Sequence, residues 1–237
     1  MENVSIHKRP LQEVCLAGFI DVLPLAIAVI PWGILCGSLA IQSGFTSFEA
    51  ALMSALVFAG AAQLGGLTVI AQGGALSSIT GATFVISARH LLYSATFRED
   101  VRHFSFPKKA VIAFLLTDEM FAVTENYKRK TGHFSAEYAI SSGVTFWLLW
   151  NISTIMGISL DQQFPSLTDV GLNFAIAATF IAIVVPNLNN ISTILAALSS
   201  FTLSIVFENI GFSQSLLMAA ITGMFLGYLF STIETKK

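Results

Sequence analysis

The stretch AALMSALVFAGAAQLGGLTVIAQGGALSSITGATFVISARH, residues 50–90, decides the fold class of this chain. Residues 50–88 carry no charged side chain, and Arg89 and His90 then follow together. A charged side chain at the centre of a bilayer costs about 2.5–3.5 kcal/mol on insertion scales, so it is kept where it faces a partner, a water-filled cavity or a bound solute. The stretch therefore predicts membrane-embedded helices and raises the question of which negative group Arg89 meets. For Arg89, a structural salt bridge or a position at the membrane interface is the alternative to a contact with a ligand.

The composition of the whole chain is that of a membrane protein. Of its 237 residues, 54% are hydrophobic and 11% are charged, and the mean hydropathy is +0.75. Soluble domains carry about 25% charged residues. The net charge of −2 gives no reason to expect a nucleic acid as a partner. Cys15 and Cys36 have neither a disulfide-framework nor a metal-ligand spacing, so we expect no metal and no other cofactor.

The apolar segments predict an all-α, polytopic transmembrane helix bundle of seven or eight segments, some of them broken or re-entrant. A spanning helix needs about 20 largely apolar residues. The eight candidate segments are residues 14–42, 49–72, 75–97, 108–125, 137–159, 170–186, 190–208 and 213–233. Proline removes a backbone donor, so Pro24 and Pro31 predict breaks in the first segment, and Pro186 predicts the end of the sixth. We expect a single integral membrane domain over residues 1–237, with residues 1–13 as a short cytoplasmic segment.

Basic residues in the short loops predict the orientation of the segments. Those at residues 8–9, 128–130 and 236–237 predict a cytoplasmic N-terminus, fourth loop and C-terminus, and eight crossings satisfy all three. The loop at residues 98–109 conflicts with eight crossings, because its four basic residues would lie outside. Either this loop breaks the rule or one early segment is re-entrant, and both alternatives stay open.

Asp118 and Glu119 are the acidic residues that the sequence offers to Arg89. Both follow an apolar run, and a carboxyl group in low-dielectric surroundings is able to exchange a proton near neutral pH. They are therefore candidates for proton coupling. The alternative is that both acids lie at the membrane interface, close to Lys128.

Gln63, His90 and Asn173 are further candidate contacts for a small ligand. Six of the eight residues 59–66 around Gln63 are Gly or Ala, which lets helices approach closely. Packing within the bundle is the alternative for Gln63 and for His90. The chain has no ATP-binding loop, zincin motif or nucleophile elbow, so we expect a carrier driven by an ion gradient or by its substrate, and no enzyme.

Several runs together resemble the AzlC family of bacterial branched-chain amino acid transporters, the large subunit of a two-component exporter. The runs are residues 18–24, 31–33 with Gly37, 53–63, 89–94, 117–119, 171–175 and 180–181. Residues 58–63 and the Arg89–His90 doublet are the specific ones. The resemblance implies a multi-pass protein of the bacterial plasma membrane that exports valine, leucine, isoleucine or related neutral amino acids, with methionine as a further candidate, coupled to protons.

The resemblance also implies partners and site roles. The partners are the amino acid substrate, the lipid bilayer and a small AzlD-type membrane subunit, and a higher oligomer of the two-subunit complex stays open. The substrate carboxylate is expected at Arg89 or at helix ends, and its amine or a proton at Asp118 or Glu119. Asn173 stands where the family often has an acid. Two other classes stay open: a channel or facilitator for another small solute, and a membrane assembly subunit that transports nothing.

Overall fold

The computed structural model describes residues 10–71, 73–163, 181, 185, 188, 190–212 and 215–234. These residues contain eleven α-helices and no strand, which confirms the predicted helical bundle. The helices are α1 (Leu11–Ala28), α2 (Ile30–Gln42), α3 (Ser47–Val57), α4 (Gly60–Ala71), α5 (Leu76–Ser87), α6 (Arg89–Val101), α7 (Phe106–Phe114), α8 (Asp118–Thr131), α9 (Ala136–Gln163), α10 (Ile191–Asn209) and α11 (Ser215–Glu234). The predicted positions Asn173 and Pro186 lie outside the described residues.

Helices α1, α9 and α10 are each long and apolar enough to cross a membrane. With 28 residues, α9 rises about 42 Å, more than the hydrocarbon thickness of about 30 Å. Helices α2 to α5 are apolar but shorter. The described chain is therefore built from both full-length and half-length apolar helices.

Each of the first four predicted segments is interrupted near its middle. The interruptions lie at Val29, at residues 58–59, at Ala88 and at residues 115–117. The first comes two residues before Pro31, which lacks the N–H that would continue α1. The chain stays helical through Pro24, so the break predicted there is not found. One missing hydrogen bond inside an apolar helix is tolerated when neighbouring groups satisfy the freed carbonyl.

The described residues cluster into two compact units. The first comprises the described parts of residues 1–33 and 89–153, and the second those of residues 34–88 and 154–237. The single transport domain expected over residues 1–237 stays a prediction. Each unit is described by itself below.

In the first unit, α7 and α9 run in the same direction. Lys108 near the start of α7 pairs with Glu137 near the start of α9, with 2.8 Å between Nζ and Oε1. Leu115, just after α7, packs on Gly143 further along α9, where an added Cβ would lie 2.7 Å from the Leu115 Cβ. Both helices therefore start at the same end of the unit.

Helix α8 returns to the end at which α7 begins. Tyr127 near the end of α8 stacks on Tyr138 near the start of α9, with ring centroids 4.1 Å apart. Helices α7 and α8 therefore form a hairpin whose interior turn is at residues 115–117. The loops at residues 98–109 and 132–135 consequently lie at one end of the unit, and both alternatives for the loop at residues 98–109 stay open. The hairpin packs together with α6 and α9 around one hydrophobic core, formed by Phe97, Ile112, Leu116, Met120, Ala136 and Ala139.

In the second unit, α10 and α11 pack closely through small residues. An added Cβ at Gly227 would lie 2.8 Å from the Ala196 Cβ, and one at Gly223 would collide with the Ser200 hydroxyl. Small residues at such spacing let two helix backbones approach closely in a membrane. The hydrophobic effect does not drive helices together there, because the lipid tails are themselves apolar. The pair is thus held by close backbone packing.

Candidate functional site

The centre of the candidate site is an ion pair between two helix N-termini of the first unit. Arg89 is the first residue of α6 and Asp118 is the first residue of α8, and 2.8 Å separates Nη1 from Oδ2. Thr117 caps α8, because its hydroxyl accepts a hydrogen bond from the Met120 N–H. Arg89 therefore meets one of the two acids that the sequence offered, and that acid is Asp118. Glu119 follows in the first turn of α8 and forms none of the ion pairs within the described residues.

A second ion pair joins the same two helices at their other ends. Lys128 Nζ lies 2.6 Å from Asp100 Oδ2, and this contact raises the pKa of Lys128. Asp100 follows Arg89 by eleven residues and Lys128 follows Asp118 by ten, which are rises of about 16 and 15 Å. Helices α6 and α8 are therefore parallel neighbours, with an inner pair at their N-termini and an outer pair at their C-termini.

An aromatic layer between the two pairs holds α6 and α8 in register. Tyr93 stacks on Phe121 at 4.3 Å between centroids, and Phe97 packs against the same ring at 5.0 Å. His90 packs edge-on against Tyr93 at 5.7 Å. The structure thus brings His90 next to the inner pair through a packing contact. Its predicted role as a ligand contact stays a prediction.

The inner pair is accessible to a ligand. The side chains of Arg89 and Asp118 are 43% and 35% exposed. A pair of that exposure contributes about 0–1 kcal/mol where it faces a water-filled cavity. In such a cavity, competition by a charged ligand group costs little.

The charges around the inner pair fit a zwitterion. A helix N-terminus carries a partial positive charge, so Asp118 stabilises α8, whereas Arg89 adds positive charge to the N-terminus of α6. A carboxylate beside Arg89 would meet this guanidinium and two helix N-termini. Asp118 Oδ1 is buried and accepts no hydrogen bond from the described residues. It could accept one from an ammonium group.

Two more buried oxygens lie further along α8. Thr124 Oγ1 and Glu125 Oε2 are also without a hydrogen-bond partner among the described residues. Glu125 follows Asp118 by seven residues, a spacing that returns to the same side of a helix. Sequence reasoning did not single out Thr124, because a threonine in an embedded helix ordinarily bonds the carbonyl four residues earlier.

Gln63 belongs to a buried polar network of the second unit. Its side chain is 2% exposed, and Nε2 donates a 2.8 Å hydrogen bond to Ser54 Oγ. Ser54 Oγ in turn lies 2.9 Å from Thr154 Oγ1. The interruption at residues 58–59, where Phe58 has a φ of 22°, lets α4 start with Gln63 facing back to α3. The ligand contact predicted for Gln63 stays a prediction.

Asp161 is a buried acid that sequence reasoning missed. Its Oδ1 accepts hydrogen bonds from Ser38 Oγ at 2.9 Å and from Gln42 Nε2 at 2.7 Å. The predicted fifth segment ended at residue 159, whereas α9 continues to Gln163. The available signal was that Asp161 directly follows an apolar run of helical length.

Comparisons with known proteins identify one family model and several relatives. The model of the family described as AzlC protein matches residues 24–164, which include Gln63 and both residues of the inner pair. The inner membrane protein YgaZ of Escherichia coli is 28% identical over 188 residues, which are 77% of this chain and 76% of the relative. An uncharacterized membrane protein of Archaeoglobus fulgidus is 29% identical over 215 residues, 88% of this chain and 92% of the relative. One of Helicobacter pylori is 24% identical over 172 residues, 71% and 75% of the two chains. No solved structure matches the chain.

Proposed function

The chain belongs to the AzlC family, and from this premise we propose that it is a secondary-active exporter of branched-chain and related neutral amino acids. Its relatives are membrane proteins, and its apolar helices agree with a membrane location and a role in transport. In the proposal it exports valine, leucine, isoleucine or methionine across the bacterial plasma membrane. It is coupled to protons, is not an enzyme, and works with a small AzlD-type membrane subunit.

The inner pair of Arg89 and Asp118 is the observation that carries the proposal. It lies about 15 Å of helix rise from the outer pair, half the thickness of a hydrocarbon core of about 30 Å. With the outer pair at a membrane surface, the inner pair would lie near the middle of the bilayer. Carriers bind their substrates at that depth, where helices are broken and their N-termini are free to meet an anionic group.

An amino acid offers a partner to each group at this position. Its carboxylate would replace Asp118 as the partner of Arg89, and its ammonium group would bind the buried Oδ1 of Asp118. Glu119 would carry the coupling proton, and His90, Gln63 and Asn173 are further contacts in the proposal. Because both charges of the inner pair are accessible, a bound zwitterion could open the pair, and opening it would bias the carrier between two conformations.

Charge distribution supports the orientation of the proposed exporter. Residues 98–109 and 128–135 contain seven of the twelve Lys and Arg residues of the chain, and both stretches lie at one end of the first unit. Cytoplasmic loops collect basic residues. In the proposal this end is cytoplasmic, and so are the two chain termini.

Efflux from vesicles tests the proposal. Vesicles containing the chain, with and without the small subunit, are loaded with radiolabelled valine, leucine, isoleucine or methionine, with and without a proton gradient. The expected result is gradient-dependent efflux that is lost in Arg89→Ala and kept in Arg102→Ala, since Arg102 forms an exposed pair with Glu99. A channel would give no efflux against a concentration gradient. If the chain is instead an assembly subunit, Arg89→Ala would change only the formation of the complex, and no efflux would be measured for the wild type.

A further inference from the structure

One end of the first unit carries more cations than its acids compensate. We define this basic end as residues 98–109 and 128–137, which contain seven Lys and Arg residues and three acids. All three acids are used in ion pairs, which join Arg102 with Glu99, Lys108 with Glu137, and Lys128 with Asp100. The cations of the basic end that take part in none of the ion pairs within the described residues are Arg98, Lys109, Arg129 and Lys130.

Helix dipoles explain only part of this excess of positive charge. Arg98 lies in the last turn of α6, and Arg129 and Lys130 lie in the last turn of α8, where the partial negative charge of a helix C-terminus favours cations. Lys109 lies in the first turn of α7, where the partial positive charge disfavours a cation, and that turn contains no acid. The position of Lys109 therefore calls for an anion from outside the unit.

An apolar stripe of α7 runs inward from the basic end. Phe106, Ala110 and Phe114 follow one another at a spacing of four residues, which places them on one side of the helix. Phe106 is 83% exposed and Phe114 is 46% exposed. The stripe rises about 12 Å from the basic end toward the turn of the hairpin. The surface thus combines cations at its outer edge with exposed apolar side chains beneath them.

We propose that the basic end binds the headgroups of acidic phospholipids, whose tails lie along the apolar stripe of α7. Cations without acidic partners are costly in hydrocarbon, so this end belongs at the level of the headgroups, where acidic lipids attract each Lys or Arg. A free anion would use the cations and leave the stripe without a partner, whereas a lipid uses both. The inference requires a membrane location but not amino acid export, so either can fail without the other.

Two double variants separate lipid binding from a structural role. Lys109→Gln with Lys130→Gln removes two of the four uncompensated charges, and the dipole effects of the two changes have opposite signs. Glu99→Gln with Arg102→Gln removes an exposed ion pair at the same end and leaves the net charge unchanged, which makes it the matched control. In detergent without lipid, both variants should keep thermal midpoints close to that of the wild type, because these groups add little to stability.

Lipid binding is measured on the full-length chain purified in a neutral detergent. The protein is titrated with phosphatidylglycerol, which is acidic, or with phosphatidylcholine of the same acyl chains, and mass spectrometry of the intact protein counts the bound lipids. We expect the wild type and the control to prefer phosphatidylglycerol, and the variant without Lys109 and Lys130 to bind it about tenfold more weakly. Equal binding of both lipids by the wild type, or undiminished binding by that variant, would overturn the proposal.

Three further arms of the experiment test other occupants and the electrostatic cause. Thermal stabilisation by inorganic phosphate equal to that by phosphatidylglycerol would overturn the proposal in favour of a free anion. A lipid preference that disappears when the small subunit is bound would overturn it in favour of a protein interface. If the variant does not fold, the wild type is titrated in about 0.1 M and about 1 M salt, which shortens the screening length from about 10 Å to about 3 Å. Binding of phosphatidylglycerol should weaken, and unchanged binding would overturn the proposal.

Discussion

Reversing the charges of the inner and outer ion pairs tests whether each pair does more than hold α6 and α8 together. The inner reversal is Arg89→Asp with Asp118→Arg, and the outer reversal is Asp100→Lys with Lys128→Asp. Both pairs link the same two parallel helices, at distances of 2.8 and 2.6 Å. The outer reversal is therefore a matched control, in which the contact is of the same kind but lies outside the proposed substrate site.

The expected change in stability is small for both reversals. Each reversed pair can form the same contact between the same two helices, so most of its contribution is recovered. In a water-filled cavity the exposed inner pair itself contributes about 0–1 kcal/mol. The helix dipole terms, about 0.3–1 kcal/mol each, cancel because one N-terminus gains an acid while the other loses one. The sum of these terms stays within about 1 kcal/mol of the wild type.

The expected change in transport differs between the two reversals. The inner reversal moves the guanidinium and the carboxylate to each other's positions, so a bound zwitterion would meet like charges, and we expect efflux of leucine to fall at least tenfold, about 1.4 kcal/mol or more. The outer reversal should keep wild-type efflux. Thermal unfolding of the purified complex and efflux per folded protein are measured together. Wild-type efflux from the inner reversal would refute the substrate role of the pair and leave it a structural contact.

Three further predictions concern packing, a buried network and pH. Gly143→Ala should destabilise the protein by about 1–3 kcal/mol, because the added Cβ would meet the Leu115 Cβ at the turn of the hairpin. The thermal midpoint should therefore fall, and an unchanged midpoint would contradict the close packing. Gln63→Leu should destabilise the protein by about 1–3 kcal/mol, because it removes the hydrogen bond that the Gln63 amide donates to the buried Ser54 hydroxyl, and a higher thermal midpoint would argue against the network. The pKa of Lys128 is raised on folding, so its contribution is present below the ordinary value of 10.5 and is lost as pH rises through the higher folded value. The thermal midpoint of the wild type should therefore fall as the pH rises above 10.5, and it should fall less in Asp100→Asn. A fall as steep as in the wild type would count against the contact between Lys128 and Asp100.

The class of fold and the two candidate partners of Arg89 could be predicted from the sequence. A long uncharged run that ends in one guanidinium predicts a membrane environment and an acidic partner for that guanidinium. Only a few acidic residues of the sequence lie in similarly apolar runs. The choice of Asp118 over Glu119 could not be predicted, because adjacent residues on a helix differ by about 100° in direction and the start of α8 fixes that direction.

The path of the backbone was harder to predict than the class of fold. The basic residues in 98–109 and 128–130 indicate on which side of the membrane these loops lie. They do not indicate that the chain turns back after α7, at residues 115–117. The interruption at residues 58–59 contains no proline that could have predicted it, and Gln63, which follows it, donates a hydrogen bond to Ser54 of α3. Asp161 was assigned to a loop because a polar residue after an apolar run also marks a helix end.

Equilibrium binding of radiolabelled leucine to the purified complex tests the central claim most directly, since binding requires neither a gradient nor coupling. Wild-type complex, Arg89→Ala and Arg102→Ala are compared at equal amounts of folded protein. The account predicts saturable binding to the wild type and to Arg102→Ala, and loss of binding in Arg89→Ala. Undiminished binding to Arg89→Ala would contradict the assignment of the inner pair as the substrate site.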